Sequence, residues 1–397
     1  MARLLSLVVL AALGYLVAWL AGLDDLDQSI SYRYGTAVLL GVGLYASTYG
    51  IDLRELHGHR RLVGLAVTVG VLVKAALIGV SLALAFRDPL FLILGVAVAQ
   101  IDPLSVAALV GDPRMSPRAK SILGAWSSFD DPVTAILVIY AAAVATTSFG
   151  LGDRGGLGSV GTPGGGLRAY AFDIGANLAF AGLAYLLWRL LRTHQAVALA
   201  GLVVLFAVGV SLFLMLGLAI AGLFYRPRSS WVASRPEAGQ VAAGGPEAGQ
   251  VAAGGAAGDQ VAAGRPWLDR VVGAVTQGAL GVAAVLLGML LVAGVDLRHG
   301  AALGAAAFAA QVVVGWLLTR GLPRMDRVHL AFAQQNGITA IILALRLEAD
   351  YSGVVAVVAP AILVTNTIFV VVNAAVDRRV LARPASPGAG QPQGGEL

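Results

Sequence analysis

Long apolar runs separated by short polar turns repeat along the chain. A helix needs about 20 mainly apolar residues to cross the hydrocarbon core of a bilayer, and the runs have this length. The first run exceeds the core of about 7–15 residues found in a signal peptide, so we expect a retained helix. The pattern predicts an all-α polytopic membrane protein with spans at residues 4–23, 34–51, 62–86, 90–110, 119–146, 170–191, 196–225, 268–294, 300–319, 328–346 and 352–376.

The run over residues 196–225 is long for one span and short for two. Cytoplasmic loops are enriched in arginine and lysine, and the basic loops before this run fall on one side of the predicted membrane. The basic loops after it fall on the same side only if the run crosses twice, with a break between Gly209 and Gly217. We therefore expect about 12 spans with both termini cytoplasmic, in a prokaryotic plasma (inner) membrane.

Composition agrees with this class of protein. Hydrophobic residues make up 58% of the 397 residues and charged residues 12%, with a mean hydropathy of +0.82. Soluble domains have about 45–50% apolar and about 25% charged residues. The net charge of +5 comes mainly from arginines between spans, so we expect lipid rather than nucleic acid as the partner. The absence of cysteine excludes disulfides, thiol catalysis and thiolate metal sites.

Two segments do not fit a membrane core. Residues 235–264 are three copies of a ten-residue repeat rich in glycine and alanine, which cannot bury a core. We expect residues 226–266 to be a disordered cytoplasmic linker between two membrane halves, residues 1–225 and 267–380. The tail over residues 381–397, rich in proline and glycine, is expected to be disordered as well.

Acidic residues interrupt two of the apolar runs. Asp130 and Asp131 are adjacent in the middle of one run, and Asp102, followed by Pro103, interrupts the preceding run. A charge at the bilayer centre costs roughly 3 kcal/mol, so such residues indicate a functional site. Acidic groups at this depth beside a helix-breaking proline are typical of a cation or proton pathway.

The two halves share an internal repeat. Three segments recur in order: Gly50–Arg54 as Gly294–Arg298, Ala99–Ser105 as Ala333–Thr339, and Asp130-Asp131 as Thr365-Asn366. Under the 12-span topology the two copies are inverted, as in many secondary transporters whose site lies where broken helices face one another. We expect those breaks at Asp102-Pro103 and Asn336-Gly337, since proline removes a backbone donor and glycine loosens a helix. The alternative is chance similarity between apolar segments.

At these motifs the chain resembles the cation:proton antiporter (sodium/proton exchanger) superfamily. Gln100–Pro103 is similar to the Thr-Asp-Pro motif of an unwound helix, and Ser127–Asp131 is similar to the ion-binding helix. Ala333–Thr339 looks like the second crossing helix. The resemblance covers roughly residues 4–380 without the linker. It implies inverted repeats with two broken, crossing helices, antiport of Na⁺ or K⁺ against H⁺, and a homodimer.

The resemblance also implies roles for individual residues. Asp131 would be the proton and metal (monovalent cation) site, with Asp130 as its partner carboxylate. Asp102 and Asn336 would lie at the helix crossing. The electroneutral branch has a glutamate where this chain has Trp126, and the electrogenic branch has a lysine in the second half that we do not find.

Further side chains are candidates for neighbouring roles. Ser127 and Ser128 are candidates for completing the ion shell. Lys74, the only intramembrane lysine, is a candidate charge partner or a snorkelling residue. We expect Thr339, like Thr365 and Asn366, to form hydrogen bonds between helices rather than to bind the ion.

No cofactor is expected beyond the transported ions. Cation and proton would compete for Asp131, and the empty charged site would cross poorly, so exchange would be obligatory. Two other functions remain open at this stage. A sodium-coupled solute symporter also uses inverted repeats, and an intramembrane aspartyl hydrolase would need two aspartates on separate helices, such as Asp102 and Asp131.

Overall fold

The structure is a computed structural model that describes residues 2–23, 26–49, 60–103, 106, 109, 115–149, 166–225 and 267–381. Secondary structure in these residues is helical throughout. The helices are α1 Ala2–Ala21, α2 Ile30–Tyr49, α3 Arg60–Leu65, α4 Val71–Phe86, α5 Leu90–Ala97, α6 Pro117–Phe149, α7 Gly166–Leu191, α8 Gln195–Ser211, α9 Met215–Phe224, α10 Trp267–Leu290, α11 Leu297–Leu318, α12 Arg324–Ala331, α13 Ile338–Glu348 and α14 Val354–Leu381. A π-helical turn, Ala66–Gly70, joins α3 to α4. The predicted linker and tail lie outside the described residues, apart from the helical residue Leu381.

Six helical segments within the described residues are long and apolar enough to cross a membrane. They are Arg61–Phe86, Pro117–Ala142, Phe172–Leu191, Arg270–Ala293, Leu297–Leu318 and Val354–Val376. Shorter apolar helices accompany them, among them α8 and α9. The chain is therefore an integral, multi-pass membrane protein, as predicted, whereas the count of 12 spans stays a prediction.

The long run at residues 196–225 forms two antiparallel helices. α8 ends at Ser211 and α9 begins at Met215, so the turn lies between Gly209 and Gly217 as expected. The Tyr225 hydroxyl, after the end of α9, donates to the Ala198 carbonyl near the start of α8 at 2.8 Å. This bond fixes the two helices side by side.

Two predicted spans, 90–110 and 328–346, are interrupted. The first loses helical structure after Ala97, and helical structure resumes at Pro103; the second is broken between α12 and α13. The interruptions lie against each other, because the Asp102 N–H donates to the Gln335 carbonyl at 3.0 Å and the Gln334 amide donates to the Gln100 carbonyl at 2.8 Å. Backbone groups freed from a helix inside a membrane need such partners.

The two halves present the same order of elements around their interruptions. A long helix, a short helix and an interruption follow one another after the start of α4 and again after the start of α11, and a long helix, α6 or α14, comes later in each half. Close packing repeats as well: Gly95 meets the backbone of Gly79, and Gly315 meets the backbone of Ala331, sixteen residues apart in each half. These matches support the internal repeat, and its inverted orientation stays a prediction.

The helices pack in two groups. The interrupted helices pack with α4, α6, α11 and α14, and a second group contains α1, α2 and α7–α10. Helices α2 and α10 join the groups, α2 through α6 and α13 and α10 through α13. The acidic residues lie within the first group, close to the boundary with the second.

Candidate ion-binding site

Helix α6 carries the two adjacent aspartates, and both are buried. Pro132 follows them inside the helix. Because proline has no N–H, it cannot donate to the carbonyl of Ser128 one turn earlier. The helix therefore places two carboxylates and a carbonyl without its usual helical donor within one turn.

Asp130 is paired with a buried cation. Its Oδ2 accepts hydrogen bonds from Lys74 Nζ at 3.0 Å and from the Ile101 N–H at 2.8 Å. The side chains of Asp130 and Lys74 are both 0% exposed. The ion pair joins α4 to α6, and the second bond ties α6 to the first helix interruption.

Lys74 has a second neighbour on α6. Its Nζ lies 5.6 Å from the ring centroid of Trp126, one turn before Asp130. An ammonium over an indole face is favourable, more so away from water. The ring of Trp126 and the carboxylate of Asp130 together surround this lysine, which does not snorkel to the membrane surface.

Asp131 is surrounded differently. Its Oδ2 accepts a hydrogen bond from the Thr339 hydroxyl at 2.7 Å, and with its amide oriented to satisfy both groups, Gln100 donates to Oδ1 at 3.1 Å and accepts from the Ala340 N–H. Both donors to the carboxylate are neutral. One lies in the first interruption and the other in the first turn of α13, so Asp131 lies where the two interrupted helices meet.

Asp102 lies close to this carboxylate. It is 1% exposed and lies two residues after Gln100, the donor to Asp131 Oδ1, in the same interruption. The chain leaves the interruption immediately after it, because the Asp102 carbonyl accepts from the Val106 N–H and Pro103 is already helical. Two carboxylates from separate elements therefore share one buried region.

The second interruption is held by amide groups. The Asn366 side chain accepts from the Asn336 N–H at 3.2 Å and donates to the Asn336 carbonyl at 2.9 Å. The Gln334 amide donates to Asn336 Oδ1 at 2.7 Å. Gly337 directly precedes α13. Asn336 and Gly337 therefore lie at the break as expected, and Asn366 bridges α14 to it.

The two serines predicted to be ion ligands, Ser127 and Ser128, are not among the hydrogen-bond donors described for Asp131. The Ser127 hydroxyl donates to the Gly124 carbonyl of its own helix at 3.2 Å. Ser128 lies one turn before Asp131 and is half-buried. The hydrogen bonds described for Asp131 come instead from Thr339 and Gln100.

Sequence reasoning missed one residue of the site. Thr339 is expected to form a hydrogen bond between helices, and its hydroxyl does so, donating from α13 to the candidate ion-binding carboxylate on α6. Gln100 is the residue that was missed, because the sequence offers it only as part of the motif around Asp102. The internal repeat points to both Gln100 and Thr339, because each is a polar residue within one of the two segments that match between the halves.

Comparison with known proteins addresses the fold. Two solved structures of MjNhaP1, the sodium proton antiporter of Methanocaldococcus jannaschii, superpose on this chain with a TM-score of 0.58. The chain has the fold of a sodium/proton antiporter. Identity is 15% and 14%, the match covers 96% of this chain in both cases, and it covers 98% and 92% of the antiporter chains. No protein-family model and no curated protein matches the sequence.

The fold bears on the alternative that this protein is an intramembrane aspartyl hydrolase. Asp102 and Asp131 lie on separate elements close together, which is the placement an intramembrane aspartyl hydrolase requires. The two MjNhaP1 structures, which match 96% of this chain, are those of a transporter rather than an enzyme. Because one fold can host several functions, the function has to be argued from the site itself.

Proposed function

We propose that this protein exchanges a monovalent cation, Na⁺ or K⁺, for protons across the membrane, with Asp131 as the shared binding group. One observation carries the proposal: Asp131 is a buried carboxylate bonded by neutral donors, beside a second carboxylate, where two helix interruptions meet. The similar fold of a sodium proton antiporter supports it. Asp130 does not carry exchange, because Lys74 already balances its charge.

The chemistry follows from competition for one carboxylate. A proton neutralises Asp131 directly, whereas an alkali cation requires oxygen ligands, as hard cations do. Asp102 and the Ser128 carbonyl, which Pro132 leaves without its helical donor, are the candidates for these ligands. Thr339 and Gln100 orient the Asp131 carboxylate for either partner.

Alternating access follows from the cost of an uncompensated charge. An ion moved from water into a low-dielectric interior loses several kcal/mol even after relaxation. The site would therefore change its exposure readily when Asp131 holds a proton or a cation, and poorly when it holds neither. Exchange is then obligatory. The inverted repeat, the homodimer and the cytoplasmic termini belong to this proposal as predictions.

Replacing Asp131 by asparagine tests the proposal. In proteoliposomes with an imposed pH gradient, Asp131→Asn should reduce Na⁺- and K⁺-dependent proton movement to the level of protein-free liposomes, because asparagine cannot bind the proton. Asp88→Asn is the matched control, since Asp88 accepts from the Leu90 N–H at the start of α5, away from the site, and asparagine can accept that bond. Exchange retained by a folded Asp131→Asn protein contradicts the assignment. Peptide cleavage that needs both Asp102 and Asp131 would favour the hydrolase instead.

A further inference from the structure

The threonines within the helices share one hydrogen bond, and two of them lack it. A helical threonine hydroxyl can donate to the backbone carbonyl four residues earlier. Among the helical threonines whose side chains the structure describes, those that make this bond are Thr36, Thr48, Thr68, Thr276, Thr365 and Thr367. Thr134 and Thr339, described in the same way, do not make it. Both lie beside Asp131, one on α6 and one on α13.

The hydroxyl of Thr339 has another partner, whereas that of Thr134 has none among the described residues. Thr339 donates to Asp131 Oδ2 at 2.7 Å. Thr134 is 0% exposed, and its Oγ1 makes no hydrogen bond within the described part of the chain. A buried hydroxyl without a partner costs free energy, and such groups are rare in folded proteins. The side chain therefore points to a partner that binds to the protein.

Helix geometry directs this hydroxyl at the candidate site. Successive helical residues point about 100° apart, so around α6 Thr134 lies about 60° from Asp131 and about 40° from Asp130, between the two. Residues three or four apart are neighbours on a helix surface. Helical side chains lean towards the N-terminal end of their helix, so Thr134 covers the turn that carries both carboxylates.

The two carboxylates beside Thr134 differ in the charge that they offer. Asp130 forms an ion pair with Lys74 through Oδ2, so the pair is neutral, and its Oδ1 makes no hydrogen bond to the described residues. Asp131 is bonded by the neutral side chains of Thr339 and Gln100. A cation next to Thr134 would therefore be attracted by Asp131.

We propose that the Thr134 hydroxyl oxygen is a neutral ligand of the cation that binds to Asp131, and that it contributes to binding of the cation but not of the proton. The inference rests on the proposed function. Hard cations take oxygen ligands, and a hydroxyl oxygen offers two lone pairs. A proton on Asp131 forms an O–H bond and needs no shell of oxygen ligands. Thr134 therefore favours the cation in its competition with the proton.

Thr134→Val tests the proposal by removing the oxygen and keeping the branched shape. The unfolding temperature in detergent is followed while Na⁺ or K⁺ replaces choline at constant ionic strength, because a ligand of the native state raises this temperature. The variant should need about tenfold more of the cation that stabilises the unmodified protein, the effect of one lost contact to a charged partner. Without either cation it should unfold at no lower temperature, because a buried hydroxyl without a partner has been removed.

Two further variants serve as controls. Thr134→Ser keeps the oxygen and should restore the cation titration of the unmodified protein. Thr276→Val makes the same chemical change in α10, where the hydroxyl donates to the Val272 carbonyl at 2.8 Å. It should lower the unfolding temperature without cation, since a bonded hydroxyl is lost, and leave the cation titration unchanged.

Transport provides a second measurement. In proteoliposomes, Thr134→Val should raise the KM for the cation about tenfold and retain the maximal rate, because a saturating cation concentration refills the site. A residue with a purely structural role would lower the maximal rate and leave the KM unchanged.

Three results would overturn the proposal. The first is an unchanged cation titration in Thr134→Val, and the second is a titration that Thr134→Ser does not restore. The third is a lower unfolding temperature of Thr134→Val without cation, which would mean that the hydroxyl serves a partner such as a water molecule on Asp130 Oδ1.

The outcome is separable from that of the proposed function. Cation stabilisation that Asp131→Asn abolishes and Thr134→Val leaves unchanged would reject Thr134 as a ligand and keep exchange at Asp131. Cation stabilisation weakened by Thr134→Val, in a protein without any cation-dependent proton movement, would reject antiport and keep the ligand. If neither cation stabilises the unmodified protein, both proposals are rejected.

Discussion

The two helix interruptions hold their free backbone groups with different chemistry. In the first, the Asp130 carboxylate accepts from the Ile101 N–H and needs Lys74 as a buried counter-charge. In the second, the neutral amide of Asn366 both accepts from and donates to the backbone of Asn336. An interruption can therefore be held without any charge. A carboxylate is not required for that purpose, and Asp131, whose described hydrogen bonds come from the Thr339 and Gln100 side chains, is the one that we assign to ion exchange.

The same comparison separates the two adjacent aspartates. Asp130 makes a backbone contact like that of Asn366, with a lysine added. Within the part of the chain that the structure describes, Asp131 makes no such backbone contact, and its hydrogen bonds reach across to Gln100 and Thr339. Asp130 is thus a structural residue that holds the first interruption, and Asp131 is the group that can bind either a proton or a cation.

The largest effect is expected at the buried ion pair. Asp130→Asn alone should destabilise the protein by roughly 3–5 kcal/mol, because Lys74 is left buried without its counter-charge. Combining it with Lys74→Gln should recover most of this loss, since both groups are then neutral, as in the second half. Thermal unfolding in detergent measures both.

The double variant also tests the division of roles. With Asp131 intact, we expect it to retain cation-dependent proton movement. A folded double variant as inactive as Asp131→Asn would place Asp130 in the exchange step itself.

A smaller effect is expected where the short helices pack on the long ones. Gly95→Ala should cost about 3 kcal/mol, because its Cβ would overlap the backbone of Gly79 and force α5 away from α4, which carries Lys74. Gly124→Ala, where a Cβ meets open space, is the control and should not destabilise. Equal unfolding temperatures for both variants would contradict the packing argument.

Asn366→Asp tests whether a carboxylate can replace the amide in the second half. It should cost about 2 kcal/mol, because the Asn336 carbonyl loses its donor and faces a negative charge. Asn373→Asp makes the same chemical change further along α14, where only a bond to the Phe369 carbonyl is lost. The difference between their unfolding temperatures gives the contribution of the bridge to the interruption. No difference would mean that Asn366 does not hold the break.

The smallest effect is expected at the start of α11. Asp296 accepts from the His299 backbone N–H at 3.0 Å and from its side chain, and these bonds hold the pKa of Asp296 below its usual range. Asp296→Ala should cost about 1 kcal/mol, as is typical of a lost N-cap. A lowered pKa means that the stabilisation is present above the ordinary value of about 3.9 and is lost as the pH falls through the folded value. Unfolding temperatures of the two proteins should therefore converge in acid, and a constant difference would contradict the cap.

Much of the architecture could be predicted because the membrane imposes it locally. The apolar runs, the turn between α8 and α9 and the breaks near Asp102 and Asn336 all follow from residues close in sequence. Helix ends were predicted less well: the run at 90–110 loses helical structure at Ala97, where no proline or glycine marks the end. That end is decided by contact with the second interruption, through bonds from Gln334.

What the sequence by itself determined is that this is a helical membrane protein with two matching breaks and acidic residues at the first of them, since apolar length and isolated charge are readable along one chain. Only the tertiary structure decided which of the two adjacent aspartates is paired with a lysine and which is left to bind a cation or a proton. Asp130 and Asp131 are neighbours in sequence, yet successive helical residues point about 100° apart. One therefore meets Lys74, 56 positions away, and the other meets Thr339, 208 positions away. Partners so distant in sequence are set by helix packing, which no local pattern records.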